Sequence, residues 1–230
     1  MLVDATGRER RLVDALAGAG LPMASACPPP PGGARPQLSW FERPAGLPAD
    51  APQHQVDPGA TLAALGRAVR LLHETPPPPA DPTPAATAGV PALDAGALVA
   101  RAAAEVAGGA VTGAHLADAR AHLHPARVVE QLQALLPVLD ARHARRPVRP
   151  GLTHGGARRA AIWLDGGRLS ALVDVADAAV ADPYRDLAAM TRDLAGALGP
   201  EALAPFLDAY GEPSPDVVRL EFHALLDELR

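Results

Sequence analysis

Apolar positions recur every three or four residues in several stretches of the chain, and these predict its helices. Leu62, Leu65, Val69 and Leu72 share one helical face between Thr61 and Glu74, with Thr61 placed as the N-cap. Val128, Val129, Leu132, Leu135, Leu136 and Leu139 form a second apolar stripe. Asp182-Pro183 opens a third helix, because Asp suits the cap and Pro the first helical position; Leu187, Met190, Leu194 and Leu198 line its inner face, and Gly199-Pro200 stops it. Ala202 to Tyr210 predicts a fourth. Ser214-Pro215 is expected to cap a fifth, with Val218, Phe222, Leu225, Leu226 and Leu229 on one face. Near the start, Glu9 to Gly18 reads as a short helix stopped by Gly18, Gly20 and Pro22, and Leu38 to Glu42 as a short strand. Two further apolar runs, Ala160 to Leu164 and Leu169 to Val175, are joined by Asp165-Gly166-Gly167-Arg168, which is a hairpin signal.

Proline divides these elements. Pro28 to Pro31 and Pro76 to Pro79 are four-residue runs, and Pro82, Pro84 and Pro91 follow. Such runs favour extended polyproline II and exclude helix interior. The expected organisation is a small piece over residues 1–55 and a larger, mostly helical unit over 56–230, with a linker at about 75–92. No internal repeat is visible.

Composition narrows the function classes. The 230 residues carry 26 acids and 21 bases, a net charge of -5, so no basic stripe exists to neutralise phosphates and no nucleic-acid partner is expected. Every base is Arg. Without Lys, a Schiff-base, P-loop or kinase-type lysine mechanism is excluded within these residues. One cysteine, Cys27, allows neither an internal disulfide nor a cysteine-rich zinc site, and His122 and His124 lack further ligands at metal spacing. No apolar run approaches a membrane span, and the opening MLVDATGRERR lacks a signal-peptide apolar region, so no membrane partner and a cytoplasmic location are expected.

The candidate chemistry lies around the hairpin. Thr153-His154-Gly155 precedes it, Asp165-Gly166-Gly167-Arg168 turns it, Val173-Asp174 ends it, and Ala179-Val180-Ala181-Asp182-Pro183-Tyr184-Arg185-Asp186-Leu187-Ala188 follows. This series resembles the aminoglycoside 3'-phosphotransferases of the aminoglycoside phosphotransferase and choline kinase group, with a T-H-G-D-x-x-x-x-N loop, D-G-G-R, I-D and G-V-A-D-x-x-x-D-L-A. Arg70-Leu71-Leu72-His73 upstream, and Phe206 to Gly211 and Leu225 to Leu229 downstream, are similar too. The resemblance implies an α+β, protein-kinase-like fold, mainly its helical C-lobe with an embedded β-hairpin and a reduced N-lobe. It also implies ATP and Mg²⁺ as cofactors and an aminoglycoside, or another cationic small molecule, as partner. Trp40, Phe41 and Glu42 would form the hinge beside ATP. Asp174 would ligate Mg²⁺, or else be a solvated strand-end carboxylate. Asp227, Glu228 and the carboxylate of Arg230 would grip substrate ammonium groups, or else be a solvated helix end. Asp186 would brace the His154 loop, Asp182 would be an N-cap, and His154 would organise the loop.

Two departures alter the functional expectation. The family's catalytic Asp falls on Gly156 and its Mg²⁺-binding Asn on Ala161, and neither side chain accepts a proton or ligates a metal. The family's Lys partner for Glu9 is also absent, which leaves Glu9 expected as a surface charge. The expectation is therefore an inactive member with ATP and Mg²⁺ bound weakly or not at all. The alternatives are a non-enzymatic binder of a cationic small molecule or protein, or an active phosphotransferase whose start is misassigned. In all three the His154–Gly156 loop should face Asp174 across a cleft. The hairpin should rest on the stripes at 187–198 and 218–229.

Overall fold

The computed structural model of the chain describes residues 2–3, 8–27, 38–78, 90–117 and 120–229. The proline run at 28–31 and residues 79–89 of the linker lie outside the described residues, as does Arg230. Strand β1 (Leu2–Val3) is followed by helix α1 (Arg8–Gly18), then by β2 (Leu38–Ser39), which pairs antiparallel with β1. The strand expected over Leu38 to Glu42 is thus two residues long, and Phe41 makes only an isolated bridge to Ala26. Next come β3 (Leu47–Pro48) and α2 (Pro58–Glu74). Asp57, not Thr61, caps α2: its carboxylate accepts the Ala60 N–H at 3.0 Å, and Pro58 takes the first helical position. Thr61 instead lies a turn inside the helix and donates its hydroxyl to the His54 and Asp57 carbonyls.

Helix α3 (Ala95–Ala107) was not legible in the sequence, because its seven alanines blur the apolar stripe that only Leu98, Val99 and Ala102 bury. Asp94 caps it. The expected helix at 128–139 runs longer, as α4 (Pro125–Arg145). Strand β4 (Gly151–Thr153) follows, then the hairpin β5 (Ile162–Asp165) and β6 (Arg168–Leu172), then β7 (Ala179–Ala181). Ala160 and Ala161 belong to a 3₁₀ turn rather than to the hairpin strand. β3 adds to the hairpin as a third strand, and β4 pairs with β7. Helices α5 (Tyr184–Leu198), α6 (Leu203–Tyr210) and α7 (Val217–Asp227) complete the chain. Asp216, not Ser214, caps α7 by accepting the Val218 and Arg219 N–H groups.

A lone two-stranded ribbon is marginal in water, so the hairpin needs an apolar floor. Ile162, Leu164 and Leu172 find it in a core shared with Leu12 and Leu16 of α1, Leu65 of α2 and Leu187 of α5. The expected second floor, the 218–229 stripe, lies elsewhere: Phe222, Leu225, Leu226 and Leu229 form a separate core with α3 and α4. Unexpected α3 explains the difference, since it offers those residues an apolar partner remote from the hairpin.

Helices α2 and α6 meet at Gly66. A Cβ there would lie 2.5 Å from the Phe206 carbonyl oxygen and 2.8 Å from the Tyr210 nitrogen. Ala in a helix interior is ordinarily favoured over Gly by about 1 kcal/mol. Here the obstacle is backbone, and overpacking costs about 1–3 kcal/mol. Gly66→Ala is therefore expected to lower stability, visible as a reduced denaturant midpoint; an unchanged or raised midpoint would refute this close approach. Among the described residues no helix is long and apolar enough to cross a membrane.

Candidate functional site

The loop after β4 is held by one carboxylate. Asp186, in the first turn of α5, is fully buried and accepts the backbone N–H groups of His154 at 2.6 Å, Gly155 at 2.8 Å and Gly156 at 3.1 Å. Its Oδ2 also lies 3.1 Å from His73 Nε2, and His73 Nδ1 lies 2.8 Å from the Tyr210 hydroxyl. An ionised carboxylate only accepts, so the proton between Asp186 and His73 is donated by Nε2. Burial pushes the Asp186 carboxyl up, but the His73 hydrogen bond and the charges of His73, His154 and Arg185 outweigh it and hold the group well below the usual carboxylate range.

Each residue of Thr153-His154-Gly155 serves the backbone. Thr153 donates its hydroxyl to the Ala179 carbonyl across the β4–β7 pair, at 3.0 Å. His154 Nε2 donates to the Val173 carbonyl at 2.8 Å, tying the loop to the end of the hairpin. Gly155 has a φ of 96°, and a Cβ there would strike the Asp177 carbonyl. Helix α5 begins at Tyr184 with Pro183 at its N-cap position, so Asp182, expected as the cap, lies one residue earlier; its carboxylate still accepts the Tyr184 N–H at 2.9 Å, and its other oxygen accepts from Arg219.

Beyond β6 the chain turns at Asp174, whose φ of 60° is the one left-handed backbone at a non-glycine among the described residues. That conformation costs a side-chain-bearing residue about 1–2 kcal/mol. Asp174 is exposed, and with His154, Gly156, Arg158 and Ala161 it lines a cleft of about 340 Å³. The loop and Asp174 therefore share one cavity. A second cavity, of about 320 Å³, meets the first at Val173 and Asp174 and extends over Phe41, Glu42, Trp163 and Leu172. Of the three residues expected at a hinge, Phe41 and Glu42 line this cavity; Trp40 does not, and its Nε1 is buried without a hydrogen-bond partner.

Glu9 also lines the second cavity and is buried, not a surface charge. Helical spacing places it on the face of α1 that carries Leu12 and Val13 into the core. Near the other carboxylates, Asp177 is engaged by Arg101 at 2.6 Å. Among the described residues no three His, Cys, Asp or Glu side chains gather into a group able to hold a metal ion. Mg²⁺ needs hard oxygen donors in near-octahedral array. Such a site usually combines one or two carboxylates with substrate phosphates; Asp174 and Asp177 line the cleft, while Gly156 and Ala161 at its wall add no oxygen donor from a side chain.

The expected substrate-gripping acids are not solvated. Glu228 is buried and accepts from Nε and Nη2 of Arg120 and from the Ala117 N–H at 3.2 Å. Burial raises its carboxyl, but the hydrogen bonds from Arg120 and Ala117 and the charges of Arg120 and Arg192 together outweigh this and lower it overall. Asp227, also buried, accepts from Arg158 at 3.1 Å and Arg192 at 3.4 Å. Sequence reasoning missed these arginines, since they come from three elements distant in the chain. The one local signal was Arg158-Arg159 in a loop otherwise made of small residues.

Residues 2–223 match the family model described as the phosphotransferase enzyme family. Over 88 residues the chain is 34% identical to an aminoglycoside 3'-phosphotransferase of Escherichia coli; the match covers 37% of this chain and 32% of that protein, about a third of its length. A crystal structure of a type VIII aminoglycoside-3'-phosphotransferase superposes with a TM-score of 0.72 at 27% identity, covering 97% of this chain and 79% of that one. An aminoglycoside phosphotransferase from Streptomyces rimosus, solved with ADP and streptomycin, gives a TM-score of 0.74 at 24% identity, covering 98% and 82%. The α+β architecture described above is thus the kinase-like fold of these proteins.

Proposed function

The chain belongs to the phosphotransferase enzyme family, and from that premise we propose that it is a catalytically silent member. In this reading its ancestral activity is ATP-dependent phosphorylation of an aminoglycoside hydroxyl; its relatives' names describe phosphoryl transfer to an aminoglycoside. Residues 1–55 are the remnant of the nucleotide-side lobe and 56–230 the helical lobe. One observation carries the proposal: what remains of the loop motif supports the backbone, while the positions assigned to chemistry, Gly156 and Ala161, stand bare in the cleft wall. A positioned general base contributes about 100- to 10,000-fold to rate. Neither Gly nor Ala supplies one.

Phe41, Glu42 and Asp174 would line what is left of a nucleotide slot, with the adenine side better preserved than the phosphate side. ATP·Mg²⁺ is therefore expected to bind weakly or not at all in titration calorimetry. A micromolar dissociation constant that depends on Mg²⁺ would contradict this. Such a constant would instead favour the second reading, a working phosphotransferase. The observation on that side is Asp174, kept in a costly left-handed conformation at the junction of both cavities.

A further inference from the structure

A third cavity, of about 330 Å³, lies between the start of α2 and the end of α5 and shares no lining residue with the two that meet at Asp174. Leu62 and Leu65 of α2, Leu198 of α5 and Ala202 give it an apolar wall. His54, in the 3₁₀ turn Pro52–Gln55, adds a ring whose Nε2 is buried and has no hydrogen-bond partner among the described residues. The backbone that carries this ring is held from both sides: the His54 N–H donates to the Ala51 carbonyl at 3.0 Å, and the His54 carbonyl accepts the Thr61 hydroxyl at 2.9 Å. A buried polar atom without a partner costs stability and calls for a reason. Charge does not supply one. Arg159 also lines the cavity, but Asp193 already accepts from its backbone N–H at 3.0 Å and from its Nε at 2.9 Å. The N-terminus of α2 offers an anion little, since Pro58 has no N–H and Asp57 takes that of Ala60. Glu201 stands exposed, where an ion pair gains little.

We propose that this cavity binds a small, uncharged, largely apolar molecule that carries one hydroxyl group. Ligand pockets are typically apolar with a few placed polar groups, which is the make-up of these walls. The apolar body of the ligand gains by leaving water for the leucines. A neutral imidazole nitrogen is a donor or an acceptor according to its tautomer, and a hydroxyl answers either. The torsion that turns the ring is broad. Nε2, screened from solvent as it stands, thereby comes round to a hydroxyl seated against Leu62 and Leu198. Because no wall is shared with the cleft, the proposal stands whether or not that cleft transfers phosphate.

The test is a titration of the full chain, its leucine methyls and histidine rings isotope-labelled, followed by NMR. Three probes of one shape are compared: benzyl alcohol, ethylbenzene and benzylamine. Benzyl alcohol is expected to shift the Leu62 and Leu198 methyls saturably and to move the His54 ring resonances. His54→Phe keeps a ring and the backbone bonds of residue 54. It should weaken benzyl alcohol about tenfold, the equivalent of one hydrogen bond, and leave ethylbenzene no weaker. Gly59→Leu narrows the cavity. A Cβ there meets only Asp57 Oδ1, at 3.7 Å, and Leu is the better helix former, so binding should be lost without any fall in the denaturant midpoint. The proposal is overturned if benzyl alcohol does not saturate these shifts, if Gly59→Leu leaves them intact, or if His54→Phe weakens ethylbenzene as much as benzyl alcohol. It is overturned equally if benzylamine binds tightest and Glu201→Gln abolishes that preference.

Discussion

Replacing Asp186 with Asn is expected to destabilise the protein by about 3 kcal/mol, and with Ala by about 3–5 kcal/mol. The carboxylate accepts the N–H groups of His154, Gly155 and Gly156 and faces His73, all from a position with no solvent exposure. Asn keeps one acceptor oxygen and turns an NH₂ group toward donors. Ala leaves every donor unsatisfied. Against a total stability of about 5–15 kcal/mol, either loss is large. The pH dependence carries the same signature. The folded carboxyl titrates below its unfolded value of about 3.9. Its contribution is therefore complete above about pH 5 and is lost as pH falls toward the folded value. Denaturant midpoints measured from pH 7 down to about pH 2 should fall more steeply for the native chain than for Asp186→Asn. Parallel pH profiles, or a neutral-pH midpoint unchanged in the variant, would show that Asp186 does not brace the loop.

That brace was legible because it is encoded locally, in the spacing from Thr153-His154-Gly155 to Asp182 and Asp186 around a hairpin with an Asp-Gly turn. Asp174 ends that same series and lines both adjoining cavities; Phe41 and Glu42, which the resemblance alone places at a hinge with Trp40, line one of them, and Trp40 does not. What stayed hidden depends on pairing across the chain. Strands β3, β4 and β7 have two or three residues each, too few for an alternation to register. Helix α3 is masked by alanine. The caps of α2 and α7 were misplaced because Thr61 and Ser214 compete in the sequence with Asp57 and Asp216, and only the folded backbone shows which side chain meets the first free N–H groups. The charges of Asp227 and Glu228 looked available because their arginine partners lie from 35 to 108 residues away.

Kanamycin phosphorylation is the second large expected effect, and the expectation is none. Loss of the base position costs about 100- to 10,000-fold. Loss of metal stabilisation costs several kcal/mol more, at a factor of ten for each 1.36 kcal/mol. Ordinary kinase turnover of about 1–100 per second would then fall to the order of an event per hour or slower. Asp174 does not restore it alone, and Asp177 in the same cleft is engaged by Arg101. The most direct measurement is a coupled ATP assay on the full chain with Mg²⁺ and kanamycin. ADP release at the level of the kanamycin-free control is the predicted result; sustained, kanamycin-dependent release well above that control would contradict a silent cleft.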